Sequence, residues 1–142
     1  MLIQIHSIQI PAYWEIIKYG AVKTDEIKES DIGEYSLNLL HDLLSNKKSC
    51  FIHQVDDKVM LMTIITFTIE DLTKKKNLHM LNLYAFEHQK DEIWINALVD
   101  LVAVAKKEGC YKLIAQSGNP RIQELAKVIQ ADHVRNVYEY IV

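Results

Sequence analysis

The chain has 142 residues, 49% hydrophobic and 25% charged, with four Gly and two Pro. That balance excludes intrinsic disorder and low-complexity architecture, and it suits one globular domain over residues 1–142 with a core large enough to fold without disulfides or metal. A formal charge of −3 excludes the global positive field that gathers nucleic acid or an anionic membrane.

Residues 1–8 alternate in character and read as a first strand. Pro11 opens a helix in which Tyr13, Trp14, Ile17 and Ala21 share one stripe. Residues 24–30 are charged and read as a loop, after which Asp31 and Glu34 have capping-box spacing. Leu37, Leu40 and Leu44, with Leu43, give the second helix its expected apolar face, and Asn46, Lys47 and Lys48 close it.

Residues 50–55 and 58–69 read as a hairpin turning at Asp56 and Asp57. The second arm is apolar on both faces, as expected of a central strand covered on both sides. The longest apolar run, 59–65, is too short to span a membrane. Residues 70–77 form a charged loop, with Lys74, Lys75 and Lys76 at a solvated tip, and 78–86 form another apolar strand. His79 and Asn82, three apart, are expected on opposite faces of it, each lining a cleft or bonded to backbone in the core.

The longest helix runs from 91 to about 108 on a stripe of Trp94, Ala97, Leu98, Leu101, Val102 and Ala105, and Gly109 stops it. Residues 111–116 form a strand. Ser117, Gly118, Asn119 and Pro120 combine a turn, a helix N-cap at Asn119 and an N1 proline. A last helix, 120–130, buries Ile122, Leu125, Ala126 and Ile129, and 134–142 alternates as a closing strand. The order is β-α-α-β-β-β-α-β-α-β, an α/β fold with a mixed sheet between helices on both faces. Strands 78–86 and 111–116 are expected side by side and parallel, joined by the long helix, and diverging to leave a cleft near Tyr84, Phe86 and Ser117.

Cys50 and Cys110 lack metal-type spacing and are expected as buried free thiols, in keeping with a reducing cytoplasm. The first residues carry no basic-then-apolar leader pattern, which also points to a cytoplasmic protein. His6, His41, His53 and His133 are scattered, so no metal is expected. No Ser-His-Asp signature, P-loop or dinucleotide fingerprint is present.

The element order, with the stretch Leu113-Ile-Ala-Gln-Ser-Gly-Asn119-Pro-Arg-Ile-Gln-Glu-Leu125-Ala126, resembles the GNAT family of N-acetyltransferases. The run SGNPRIQELAKVIQA is also similar to small phage-encoded GNAT-like proteins, which would make the chain virion-associated. The resemblance implies an acetyl-CoA cleft. Leu83, Tyr84, Phe86, Lys90, Ser117 and Asn119 are the candidate cofactor-binding residues. Glu87 and His88, just past a strand end, are candidate general bases, and Tyr138, or Tyr140, is a candidate acid.

Two departures from the family pattern stand out. The loop that should cradle a pyrophosphate reads Glu87-His88-Gln89-Lys90-Asp91-Glu92, without glycine and with three carboxylates. The tyrosine common in the family's last helix is Ala126 here. The expectation is weak acetyl-CoA binding, with a dissociation constant of roughly 1 mM or worse. Three readings stay open: a GNAT-like interaction or structural module with an unidentified protein partner or a second copy of itself, an active N-acyltransferase with a divergent loop, and a small-ligand sensor.

Overall fold

The computed structural model describes residues 1–117, 120–132, 134–135 and 138–142. The elements are β1 (Ile3–Ile5), α1 (Ile10–Asp25), α2 (Ile32–Leu44), β2 (Ser49–Val55), β3 (Lys58–Ile69), β4 (Lys76–Ala85), α3 (Asp91–Lys107), β5 (Lys112–Ala115) and α4 (Pro120–Val128). One five-stranded sheet runs β1-β2-β3-β4-β5. It is antiparallel as far as β4, and β4 pairs with β5 in parallel. This is the mixed α/β architecture expected from the sequence.

The hairpin between β2 and β3 turns on two residues, Asp56 and Asp57, with φ of 48° and 62°. A two-residue turn of that hand matches the twist of the flanking strands, and Asp tolerates the left-handed region better than most residues. β3 is buried on both faces. Leu61 and Ile65 join Leu78, Met80 and Leu83 beneath α3 and α4. Met62 and Ile64 join Cys50 and Ile52 beneath α1 and α2. Burial alone pushes the Cys50 thiol up to about 12, so it stays protonated and unreactive at neutral pH.

Four local expectations are corrected. The first strand is only Ile3–Ile5, because Ser7–Gln9 turn as a 3-10 helix in which the His6 N–H donates to Gln9 Oε1 at 3.0 Å. The loop expected from Thr24 begins later. α1 runs to Asp25 and is closed by Glu26 in the left-handed region, with the Ile27 N–H reaching back to the Val22 carbonyl at 3.3 Å. Asp31 makes no side-chain cap bond, because a 3-10 turn over Glu29–Asp31 feeds helical backbone directly into α2. The buried residues of α2 are Leu39 and Leu43, while Leu37 and Leu44 are exposed. Positions 36, 39, 40 and 43 form the inward face, and Ser36 disguises it by placing a hydroxyl where the stripe would begin.

The C-terminal reading also changes. α4 ends at Val128, and Gln130 takes φ of 62° while the Ala131 N–H bonds to the Ala126 carbonyl at 2.9 Å. That left-handed cap stops the helix before Ile129 and Gln130 can extend it. Of the expected closing strand, residues 134–135 and 138–142 are in no strand and are exposed. Alternation suits a half-buried strand but does not supply the partner edge that one requires. Residues 136 and 137 lie outside the described residues.

Candidate functional site

Strand β4 carries the site. From Asn77 to Met80 it pairs with β5, and the pairing ends at Met80 opposite Ala115. On its other side it pairs with β3 throughout, but the register changes: Ile64 lies opposite Asn82, whereas Ile65 lies opposite Met80. Leu81 is therefore an extra residue, a β-bulge, placed where β5 leaves. Bulges bend a strand and increase its twist. Beyond this one, the β5-facing edge of β4 has no strand partner among the described residues.

A cleft of about 660 Å³ opens there. β4 contributes Met80, Leu81, Asn82, Leu83 and Tyr84 to its wall. The end of β5 contributes Gln116 and Ser117, α4 contributes Ile122, and the last turn of α1 contributes Lys23, Thr24, Asp25 and Glu26. The Tyr84 ring meets Phe86 edge-on at 5.0 Å and Tyr19 at 6.2 Å. Burial, then Tyr19, raises the Tyr84 pKa above the ordinary phenol value, so Tyr84 is protonated at neutral pH. The Asp25 carboxylate accepts the Tyr35 hydroxyl at 2.5 Å. Burial first, and then this carboxylate, drives the Tyr35 phenol far above its usual range.

α1 packs closely over this half of β4 because of Gly20. A Cβ there would lie 2.5 Å from Met62 Sδ, 3.2 Å from Tyr84 and 3.3 Å from Phe86. The position admits only a residue without a side chain unless the neighbours move.

The expected site residues divide into two groups. Leu83, Tyr84 and Ser117 line the cleft, and Phe86 lies behind Tyr84. Glu87 turns away to pair with Lys58 at the far end of the hairpin. His88 is exposed, and neither it nor Glu87 is in the cleft wall. Lys90 is the residue before α3, where its carbonyl accepts the Ile93 N–H at 3.0 Å. Tyr138 is exposed and sits in no strand. Asn119 lies outside the described residues. The three proposed catalytic side chains, Glu87, His88 and Tyr138, are thus not brought together in the cleft.

Two features escaped the sequence reading. His79 lies opposite Thr66 and Asn82 opposite Ile64, so the bulge places both on one face instead of two. Arg121 reaches from the first turn of α4 to the start of α3. It bonds to the Gln89 carbonyl at 3.0 Å and to the Asp91 carboxylate at 2.6 Å, with its guanidinium 5.6 Å from the Trp94 ring centre. A cation in the first turn of a helix is unfavourable to that helix's own dipole. That was the available signal that Arg121 answers a charge elsewhere.

Among the described residues, no group of three or more His, Cys, Asp or Glu is placed to hold a metal ion, and no helix is long and apolar enough to cross a membrane.

No family model matches the chain, and no curated protein is similar to it. Solved structures are similar over the full length. A predicted acetyltransferase from Clostridium acetobutylicum, determined with acetyl-CoA, superposes with a TM-score of 0.76 at 15% identity, covering 99% of this chain and 95% of that one. An aminoglycoside acetyltransferase from a soil metagenome, in complex with sisomicin, gives 0.76 at 14% identity, covering 100% and 95%. The ribosomal-protein-alanine N-acetyltransferase of Brucella melitensis gives 0.70 at 16% identity, covering 100% and 99%. With the diverging β4 and β5 and the order of elements, these likenesses establish that the chain has the GNAT acetyltransferase fold.

Proposed function

We propose that the protein is an acyl-CoA-dependent N-acyltransferase whose cofactor lies between β4 and β5. One observation carries this reading: strand pairing stops at Met80 and Ala115, and a cleft of about 660 Å³ takes its place. That is within the range of small-molecule and cofactor sites.

The residues present fit the group. The unpaired edge of β4 beyond Leu81 offers backbone donors and acceptors to an extended arm. α3 has 17 residues and no side-chain cap at Lys90, and although the Ile93 N–H is taken by the Lys90 carbonyl, the Asp91 and Glu92 N–H groups can face an anion with the positive end of the dipole. Arg121 pairs with Asp91. It offsets one of the three carboxylates that otherwise weaken an anion site, and it adds a second cation beside Lys90.

The bound cofactor supplies an activated acyl thioester. The protein's part is to place the acceptor and manage protons. Asp25 and Glu26 at the cleft lip suit an amine acceptor, and Tyr84 is a protonated phenol in the cleft wall. A backbone-resolved NMR titration with acetyl-CoA tests the reading. Shifts are expected at Leu81 to Tyr84 and at Gln116 and Ser117. Shifts confined to other surfaces, or none, contradict it.

A second reading has a specific observation in its favour. Ala126 stands where the family commonly has tyrosine, Glu87 is engaged by Lys58, and Tyr138 is exposed outside the cleft. On that reading the cleft binds acyl-CoA or another ligand without turnover. Binding without acyl transfer to any amine in a broad acceptor panel distinguishes it.

A further inference from the structure

A bulge inside a sheet disrupts the ladder and leaves backbone groups that need other partners. In this protein, side chains supply them. At the register change the Ile64 N–H donates to Asn82 Oδ1, a side-chain acceptor, at 3.0 Å. The Asn82 carbonyl in turn accepts the Thr63 hydroxyl at 2.6 Å. Thr63 is 0% exposed and Asn82 5%. An amide and a hydroxyl in the interior destabilise a fold unless bonded, and here both are directed at the same irregularity.

The side-chain pattern depends on the extra residue. Leu78 and Met80 face the core beneath α3 and α4, and so does Leu83, although strict alternation from Met80 would turn it to the other side. Leu81 lets Leu83 rejoin that core and sends Asn82 and Tyr84 towards α1.

We infer that Asn82 and Thr63 are positioning residues: they clamp the bulge at Leu81 and thereby set the divergence of β4 from β5 that shapes the cleft. Neither is assigned a step in chemistry. The inference rests on the acyl-CoA reading only where acetyl-CoA is the probe, and its first test needs no ligand.

The test is amide hydrogen exchange on the full chain. In Asn82→Ala, exchange at Ile64 should accelerate at least about tenfold relative to Met62 and Ile65, because a buried N–H loses its acceptor. Deleting Leu81 in the same background removes the extra residue and restores a regular ladder, so Ile64 should regain protection. A merely structural core asparagine would not be rescued by a deletion. If Asn82→Ala does not fold, Thr63→Val is the milder probe, with a relative acceleration of at least about threefold expected at Ile64. Unchanged exchange at Ile64, or no rescue by the deletion, overturns the clamp. With acetyl-CoA as probe, the Leu81 deletion alone should keep its Tm within a few degrees and bind at least about tenfold more weakly than the parent chain. Equal affinity would overturn the link from bulge to cleft. Absence of binding by the parent chain counts against the acyl-CoA reading and leaves the exchange result to decide the clamp.

Discussion

The two halves of β4 differ in what lies beside them. Between Lys76 and Met80 the strand has β3 on one side and β5 on the other. Polar anchors hold that end. Glu70 accepts from Asn77 at 3.0 Å, from Lys112 at 3.3 Å and from Thr73 at 2.6 Å, and the Tyr111 N–H donates to the Lys76 carbonyl at 2.8 Å. Between Leu81 and Ala85 β3 is the one strand paired with it among the described residues, and Leu81 to Tyr84 line the cleft. Within ten residues the strand changes from doubly to singly paired, and a single inserted residue marks the change. On the proposed reading the first half is the scaffold, and the second half is where the acyl arm binds.

Four substitutions or conditions probe that contrast. Leu78, fully buried in the doubly paired half, should show the largest effect. Leu78→Ala is expected to destabilise by about 3 kcal/mol in denaturant melts, through lost burial plus the cavity left behind. A loss below about 1 kcal/mol would mean that this half is not the scaffold. Next is Gly20→Val, which drives a side chain into Met62, Tyr84 and Phe86 and should cost about 2 kcal/mol by overpacking. Because Tyr84 is in the cleft wall, the same change should also weaken acetyl-CoA binding.

A smaller effect is expected from acid. The Thr73 hydroxyl, then Asn77, then Lys112 hold the Glu70 carboxyl down at about 2, against an ordinary 4.5. A carboxylate with a depressed folded pKa contributes stability above its unfolded value, and that contribution is lost as pH falls through the folded one. Glu70→Gln should therefore flatten part of the stability loss between about pH 4.5 and 2 and leave the curve above pH 6 parallel to the parent. Glu70 is partly exposed and screened by solvent, so the change is modest. Identical acid limbs would show that the anchor contributes nothing. The smallest effect belongs to Leu81→Ala. Leu81 is 38% exposed, and the loss should be under about 1 kcal/mol, well below that of Leu78→Ala, as measured by the same melts.

The same contrast separates what could be read in the sequence from what could not. The scaffold was legible. β3 is apolar on both faces, Asp56 and Asp57 mark the turn, and Gly109 ends α3 at φ of 70°. Trp94, Ala97, Leu98, Leu101 and Ala105 form the inward stripe of α3 as their spacing implies. The parallel pairing of β4 with β5 and the cleft by Tyr84 and Ser117 also followed from the order of elements.

What failed depends on contacts between distant residues. The bulge at Leu81 breaks the period of two on which face assignment rests, so His79 and Asn82 were placed on opposite sides. The caps at Glu26 and Gln130 use left-handed residues that are not glycine, so their helix ends carried no local signal. Arg121 is 30 residues from its partner Asp91, and charge counted along the loop alone missed it. Spacing drew attention to Glu87 and His88, but spacing does not show which way a side chain turns after a strand ends.

Calorimetric titration of the full chain with acetyl-CoA tests the central claim most directly, with Arg121→Ala as its companion. A cleft that holds the acyl arm, with Arg121 countering the acidic start of α3, should give a dissociation constant of roughly 1–100 µM, or about 5–8 kcal/mol of binding free energy, in place of the roughly 1 mM expected from the loop sequence without Arg121. Arg121→Ala should weaken it severalfold while the chain stays folded at a stability lowered by about 1–2 kcal/mol, since Arg121 also holds the Gln89 carbonyl and packs by Trp94. No heat of binding below millimolar acetyl-CoA, with the chain folded, would contradict the account and leave the GNAT fold here without its cofactor.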